Sequence, residues 1–460
     1  MNDAAYREIS FWHASCPGEL TPRAPLPGDT DADVVIVGAG FSGLWTAYYL
    51  AKADPSLRIV VLEREIAGFG ASGRNGGWVV GELAAPLPAI ARAAGPNAAT
   101  EMARAMHSTV DEVGAVANTE GIDCHFAKGG ALQFAINRAQ LERLDAHYET
   151  VRRFGFGDED YRRLSAREAT TRLNASGVHG GMYSAHCAVI HPARLARGLA
   201  DAVERLGVRL HEQTNVTRLE SRRVETTHGR VGAEVVVRAT EAYTAELPGW
   251  ERALVPVGNF MIATEPLGPE TWAEIGLEHR EAFEDGRHLI FYGQRTADDR
   301  IAFGGLSVPY HYDSRIDHTQ FAQSIVHDRL RRTLVELFPV LSVVQVTHRW
   351  GGVLAIPRDW FPSVGLDRRS GLAWAGGYIG AGVAAANLAG RTLADLITSR
   401  DTGLVRLPWV GHQSPDWENE PARWLGLTGT ASLLALVDRT ELLTGHRQRW
   451  SDGIVRRLIG

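Results

Sequence analysis

The stretch from Asp33 to Gly77, DVVIVGAGFSGLWTAYYLAKADPSLRIVVLEREIAGFGASGRNGG, restricts this chain more than any other, because its spacing suits one kind of ligand. An apolar, β-branched run from Val34 to Val37 breaks at Gly38, and Gly38, Gly40 and Gly43 then form G-x-G-x-x-G at the mouth of a helix. The first glycine allows a tight turn, the second lets backbone approach a pyrophosphate, and the third permits close packing of helix on strand. The phosphates belong on the unpaired N–H groups of the helix start, at Phe41 and Ser42. Taken alone, the glycines are a weak signal.

Their surroundings complete the pattern. Leu44, Ala47, Tyr48 and Ala51 follow at helical spacing, Asp54-Pro55 stops that helix, and Arg58 to Leu62 reads as a second apolar strand. Glu63 stands at its end, with Arg64 beside it, twenty residues past Gly43. A carboxylate there accepts both ribose hydroxyls of an adenosine and repels a 2′-phosphate, so no NADP-like preference is expected. The competing reading, glycines that serve packing only, does not explain an acid in register.

The residues after Glu63 narrow the dinucleotide. A nicotinamide domain would usually enter another crossover helix, whereas Gly68 to Gly77, GFGASGRNGG, is too glycine-rich for a helix interior. The backbone of this loop at Gly70, Ala71, Gly76 and Gly77, with Ser72, Arg74 and Asn75, suits a pyrophosphate and a flavin ring. On VVIVGAGFSG, LEREIAGFGASGRNGG and later segments over nearly the whole chain, the sequence resembles the FAD-dependent oxidoreductases of the D-amino-acid oxidase superfamily. The resemblance is greatest to the branch that includes γ-glutamylputrescine oxidase, glycine oxidase and sarcosine oxidase. Those motifs are specific for the superfamily and uninformative about substrate.

The resemblance implies an α/β chain, α+β overall: a Rossmann-like FAD-binding domain interleaved with a substrate domain on a mostly antiparallel sheet. The expected division is an arm at 1–29, a discontinuous FAD domain at 30–95, 185–250 and 351–405, a substrate domain at 96–184 and 251–350, and a cap or tail at 406–460. Pro17, Pro22, Pro25 and Pro27 make residues 1–30 read as irregular. Asn97 to Asn118 and Arg138 to Phe154 read as helices flanking a strand near Gly129 to Ile136. Leu254 to Trp350 alternates as strands, with a hairpin turn at Asp298-Asp299 and a helix near Gln320 to Phe338. The tail ends in a helical stretch with Trp424 and Trp450.

In the family, the residue matching Val216 contacts the adenine through its backbone. Glu234 to Thr240, EVVVRAT, resembles the family's next strand, which ends, here at Ala239 and Thr240, beside the pyrophosphate and adenosine. The resemblance places Gly377, Tyr378, Gly380, Gly382 and Val383 at the flavin's pyrimidine edge, where a helix start suits the negative charge of reduction. Trp350, Tyr378 and Tyr292 are the candidates for the substrate side of the ring, each against a plain core role.

Composition excludes other classes. Hydrophobic content of 45%, charged content of 22% and a net charge of -6 give no basic footprint for nucleic acid. Cys16, Cys124 and Cys187 show no metal-ligand spacing, so no metal is expected. The start, MNDAAYREISFW, lacks a signal-peptide pattern, and no run reaches the ~18 apolar residues of a membrane span, so a cytoplasmic protein is expected. A monomer or a homodimer fits equally.

The resemblance implies oxidation of a primary or secondary amine by hydride transfer to flavin N5, with imine hydrolysis and flavin reoxidation by O2 or another acceptor. The histidine or cysteine that holds flavin covalently in relatives would fall near Arg74-Asn75 or Gly352-Val353, and neither is present, so FAD is expected to be non-covalent. The oxygen-activating lysine of sarcosine oxidase would lie on the strand with Ile301-Ala302-Phe303, which has none. That relative's carboxylate-binding arginines would fall near Trp78-Val79-Val80. Arg295, Arg300 and Arg349 remain as anion clamps against structural roles, and His348 reads as structural. A dehydrogenase passing electrons to a partner protein, a flavin monooxygenase and, less compatibly, a nicotinamide enzyme are the competing readings.

Overall fold

The computed structural model describes residues 1–305, 310–322 and 324–448. The β-branched run before the glycines becomes the strand Thr30–Val37, paired in parallel with Gly229–Arg238 on one side and Ile59–Leu62 on the other. Val34 to Val37 are all buried, which is why the run is continuously apolar: a parallel sheet is covered on both faces. The order across this sheet is Ser363–Asp367, Leu372–Gly376, Gly229–Arg238, Thr30–Val37, Ile59–Leu62, Arg209–His211. Along this order all neighbours run parallel except the edge strand Ser363–Asp367, which is antiparallel to Leu372–Gly376. Val216–Glu220 and Arg223–Thr226 extend the first half of Gly229–Arg238 as an antiparallel meander.

Helices Phe41–Ala53 and Gly382–Ile397 pack on each other against this sheet. Small residues make the approach close: a Cβ on Gly390 would lie 2.7 Å from Trp45. Helices Pro96–Thr119 and Pro192–Arg205 enlarge the same core.

A second eight-stranded sheet runs Val346–Ile356, Val255–Thr264, Ile301–Gly305, Phe291–Arg295, Ala282–Asp285, Ala131–Ala135, Gly180–Ser184, Tyr161–Ser165. It is antiparallel except where Ala282–Asp285 meets Ala131–Ala135, the seam between two segments distant in sequence. Phe260, Phe283, Phe303 and Phe338 fill the core against helix Ser324–Leu337. On the opposite face the register aligns Trp350, Met261, Gly304, Tyr292, Glu284, Gln133 and Met182 in one row. Direct partners share a face because side chains alternate with period two. Between the sheets, Trp78–Val80 pairs with Cys187–Val189.

The first thirty residues depart from the irregular arm expected. Two short helices, Asp3–Arg7 and Phe11–Ala14, are capped by Asn2 and Ser10, and bury Tyr6, Phe11 and Trp12. The prolines bar helix only from Pro17 onward, and the aromatic residues ahead of them are drawn into the core. At the other end, helix Ala422–Thr444 is tied down near its C-terminus, where Asp438 accepts N–H bonds from His288 and Leu289 and Glu441 pairs with Arg143. Trp424 is 37% exposed, and Trp450 lies outside the described residues. Among the described residues no helix is long and apolar enough to cross a membrane.

Candidate functional site

The turn after Val37 is built as its glycines require. Gly38 sits at φ 105°, a left-handed conformation costly for other residues, and a Cβ on Gly43 would lie 1.9 Å from the Gly38 carbonyl oxygen. Helix Phe41–Ala53 begins at Gly40 without a side-chain cap, so its first N–H groups are largely left for a ligand. The Phe41 N–H donates to Ser72 Oγ at 2.8 Å, which ties the helix start to the glycine-rich loop.

Glu63 reaches back from the end of Ile59–Leu62 and accepts N–H bonds from Ala39 and Glu65, each at 2.9 Å. Burial pushes its carboxyl above the usual range, and these two N–H groups oppose the shift. Beside it opens a cavity of about 370 Å3. Gly38, Gly40, Phe41, Ser42, Glu63, Arg64, Gly70, Ala71, Ser72, Val216, Ala239 and Thr240, all expected at the cofactor from the sequence, line it.

The cavity also takes residues that no motif marks: Asn215, Thr217, Glu241, Tyr243 and Glu246. Their sequence signal is position: Asn215 and Thr217 flank Val216, and Glu241, Tyr243 and Glu246 follow the strand Gly229–Arg238. Arg64 lies over the Tyr243 ring at 4.8 Å and pairs with Glu246 at 2.6 Å. Burial pushes the Glu241 carboxyl up to about 7, and its Oε2 is buried without a partner. A glycine cradle, a carboxylate at the strand end and an orphaned acceptor on the wall fit the polyhydroxylated diphosphate body of FAD.

The loop beyond the cavity is stitched internally and held from outside. Asn75 Nδ2 donates to the carbonyls of Ala71 and Ser72, and its Oδ1 accepts from the Gly77 N–H. Arg74 is 5% exposed, donates through Nε to the Phe69 carbonyl and lies 4.4 Å from the Phe69 ring; burial lowers its pKa. Tyr292 packs on Gly76, where an added Cβ would meet its ring at 2.4 Å, and meets the Trp78 ring at 5.6 Å.

Trp350 and Tyr378 sit differently from Tyr292. Trp350 is 2% exposed, packs on Phe11 and Trp12, and spends its indole N–H on the Arg74 carbonyl at 2.9 Å. Tyr378 shares a 3.1 Å hydrogen bond with Ser42 and donates its backbone N–H to Glu241 at 3.3 Å, which joins the late glycine turn to the cradle. Gly377 and Gly380 have φ of 76° and 99°; they, Gly382 and Val383 do not line the cavity.

The three candidate anion clamps are all ion-paired: Arg295 with Asp299 at 2.6 Å, Arg300 with Asp298 at 2.8 Å, Arg349 with Asp328 at 3.4 Å. His348 Nδ1 pairs with the Thr347 hydroxyl.

Comparison with known proteins agrees with this geometry. Residues 33–396 match the DAO family, described as FAD dependent oxidoreductase. The chain is 31% identical over 394 residues to the gamma-glutamylputrescine oxidoreductase of Escherichia coli strain K12, covering 84% of this chain and 88% of that protein. It is 25% identical to the glycine oxidase of Geobacillus kaustophilus over 82% of this chain and 96% of that one. The crystal structure of that oxidase superposes with a TM-score of 0.69 at 23% identity, covering 83% of this chain and 99% of that chain. A cradle shaped for a dinucleotide, a second sheet laid over its loop, and a family match across both make this chain a member of the DAO family of FAD-dependent oxidoreductases.

Proposed function

We propose that the protein holds FAD non-covalently and oxidises a primary or secondary amine. The observation that carries this reading is the sheet face beside the glycine-rich loop. There Tyr292 packs on Gly76, and Trp78, Tyr292, Glu284 and Gln133 share the site side of the sheet without being fully buried. FAD, when bound, would supply hydride acceptance from the amine's α-carbon and reoxidation by O2 with release of hydrogen peroxide, the oxidised amine leaving as an imine that water hydrolyses to an aldehyde or keto compound and ammonia or a smaller amine.

The chain's own part is binding and orientation. The N–H groups of Gly40 and Ser42 would hold the pyrophosphate, with the Phe41 N–H keeping Ser72 beside it, and Glu63 would take the ribose hydroxyls. Tyr292 and Trp78 wall the substrate side and exclude water, so most of the rate comes from positioning. The names of the relatives, a putrescine-derivative oxidoreductase and a glycine oxidase, support a C–N substrate.

A second reading, in which another acceptor replaces O2, is favoured by the strand Ile301–Gly305, IAFGG, which carries no lysine. The test is anaerobic addition of a panel of amines and amino acids to the purified yellow protein, followed by air. Bleaching by one amine class with peroxide on reoxidation is expected, and acid precipitation should leave the flavin in the supernatant. A flavin that no amine bleaches would overturn the reading; bleaching without reoxidation by air would favour the other acceptor.

A further inference from the structure

Glu284 stands on the sheet face beyond the loop, unused by the chemistry above. It is the direct cross-strand partner of Tyr292 on one side and of Gln133 on the other. Such partners lie about 5 Å apart at Cβ, so Glu284 is one side chain's width from the ring that packs on Gly76. Gln133 Nε2 donates to Glu284 Oε1, and the Oε1 of Gln133 is buried without a partner. Gln294, on the strand of Tyr292 and 0% exposed, donates to the Gly76 carbonyl and also leaves its Oε1 unpartnered. The Tyr292 hydroxyl is committed to Asn259 at 3.1 Å.

Among the described residues, no cation answers Glu284. The charges that act on Glu284 are those of Glu82 and Asp285, both acidic, and burial pushes its carboxyl up to about 7. Asp285 is itself paired with Arg287. A carboxylate buried without a cation is destabilising, whereas a protonated amine brings a charge and three N–H donors that acceptors of this kind satisfy.

We infer that Glu284, with the free amide oxygen of Gln133 beside it and Glu82 in electrostatic range, anchors a second cationic group on the substrate, so that the site selects diamines over monoamines of equal length. This rests on the amine oxidation proposed above. A monoamine would leave the acceptors buried and unpaired, and a site built to hydrogen-bond a group discriminates strongly against analogues lacking it.

The matched pair 1,4-diaminobutane and 1-aminobutane tests the anchor on the holoenzyme. The wild type should favour the diamine by about 100-fold or more in kcat/KM. Glu284→Gln should cut that ratio to within about 10-fold, mainly through KM, and Glu82→Gln should cut it less, in the same direction. Calorimetry on dithionite-reduced holoenzyme, where no turnover occurs, should show the diamine Kd rising about 100-fold in Glu284→Gln.

Equal kcat/KM for the two amines in the wild type, or a ratio that Glu284→Gln leaves unchanged, overturns the anchor. If Glu284→Gln fails to retain FAD, the wild-type pair and Glu82→Gln decide alone. Where neither butyl compound reduces the flavin but another amine does, the anchor falls and amine oxidation stands. A flavin reduced by no amine removes both.

Discussion

The indole N–H groups of Trp350 and Trp12 donate to successive carbonyls of the glycine-rich loop, Arg74 at 2.9 Å and Asn75 at 2.7 Å. The two rings meet edge to face with centroids 6.2 Å apart. Segments far apart in the sequence therefore hold the same loop. Ser10 adds to the grip, bonding His13 Nδ1 at 2.7 Å while His13 packs against Gly73.

Trp350→Phe and Trp12→Phe keep a ring but leave a loop carbonyl unpaired, at a cost of about 1–3 kcal/mol each. Both should lower the thermal midpoint and speed FAD release on dilution. The double substitution should fall short of the sum, because the pair shares one loop. Thermal melts and the rate of flavin fluorescence recovery measure this; FAD release as slow as in the wild type would show that the clamp is incidental.

Gly43→Ala and Gly40→Ala should differ sharply. The new methyl at 43 would lie 1.9 Å from the Gly38 carbonyl oxygen, a backbone atom that cannot move without opening the turn, whereas at 40 it meets the Ser72 hydroxyl at 2.9 Å, which can rotate away. Gly43→Ala should destabilise by roughly 3 kcal/mol or more and abolish FAD retention, and Gly40→Ala should weaken FAD about 10-fold. Equilibrium dialysis of FAD against the two variants separates the outcomes.

Glu284 predicts a pH dependence in the substrate-free protein. Burial raises its folded carboxyl from the ordinary 4.5 to about 7, so the unfolded chain releases the proton first as pH rises. Its favourable contribution is full below about 4.5 and is lost progressively up to about 7. Glu284→Gln removes that loss. The thermal midpoint of the variant relative to wild type should therefore climb between pH 5 and 7 and then level; parallel curves would contradict the assignment.

Arg349 serves as the contrast. It is half-exposed and paired with Asp328 at 3.4 Å, an arrangement worth about 0–1 kcal/mol. Arg349→Ala should leave kcat/KM for a reducing amine within about 2-fold. A loss well beyond that, confined to KM for an anionic substrate, would restore it as an anion clamp.

The cradle was readable from residues 33–77 because everything it needs is local. A β-branched strand, a left-handed turn at Gly38, an uncapped helix start and an acid at the next strand's end are all encoded within that stretch. The late turn at Gly376-Gly377 was readable for the same reason, as a strand followed by glycine and an alanine-rich helix. The family match over residues 33–396 accords with both.

What the sequence could not display is adjacency between distant segments. Trp350 stood out as an aromatic residue in a glycine motif, but only folding brings its N–H to the Arg74 carbonyl and sets Trp12 beside it. The proline-rich start reads as an irregular arm on which Ser10, Phe11 and Trp12 pack against the body; that packing is found, whereas the two short helices that carry it and the burial of Tyr6 depend on partners far along the chain. Glu284 carried no signal at all. Its meaning arises when Ala282–Asp285 pairs in parallel with Ala131–Ala135 and antiparallel with Phe291–Arg295, which sets the acid between Gln133 and Tyr292. Local dihedral preference and periodicity determined the dinucleotide cradle, whereas strand register, which no local pattern encodes, decided which side chains share the sheet face beside the glycine-rich loop.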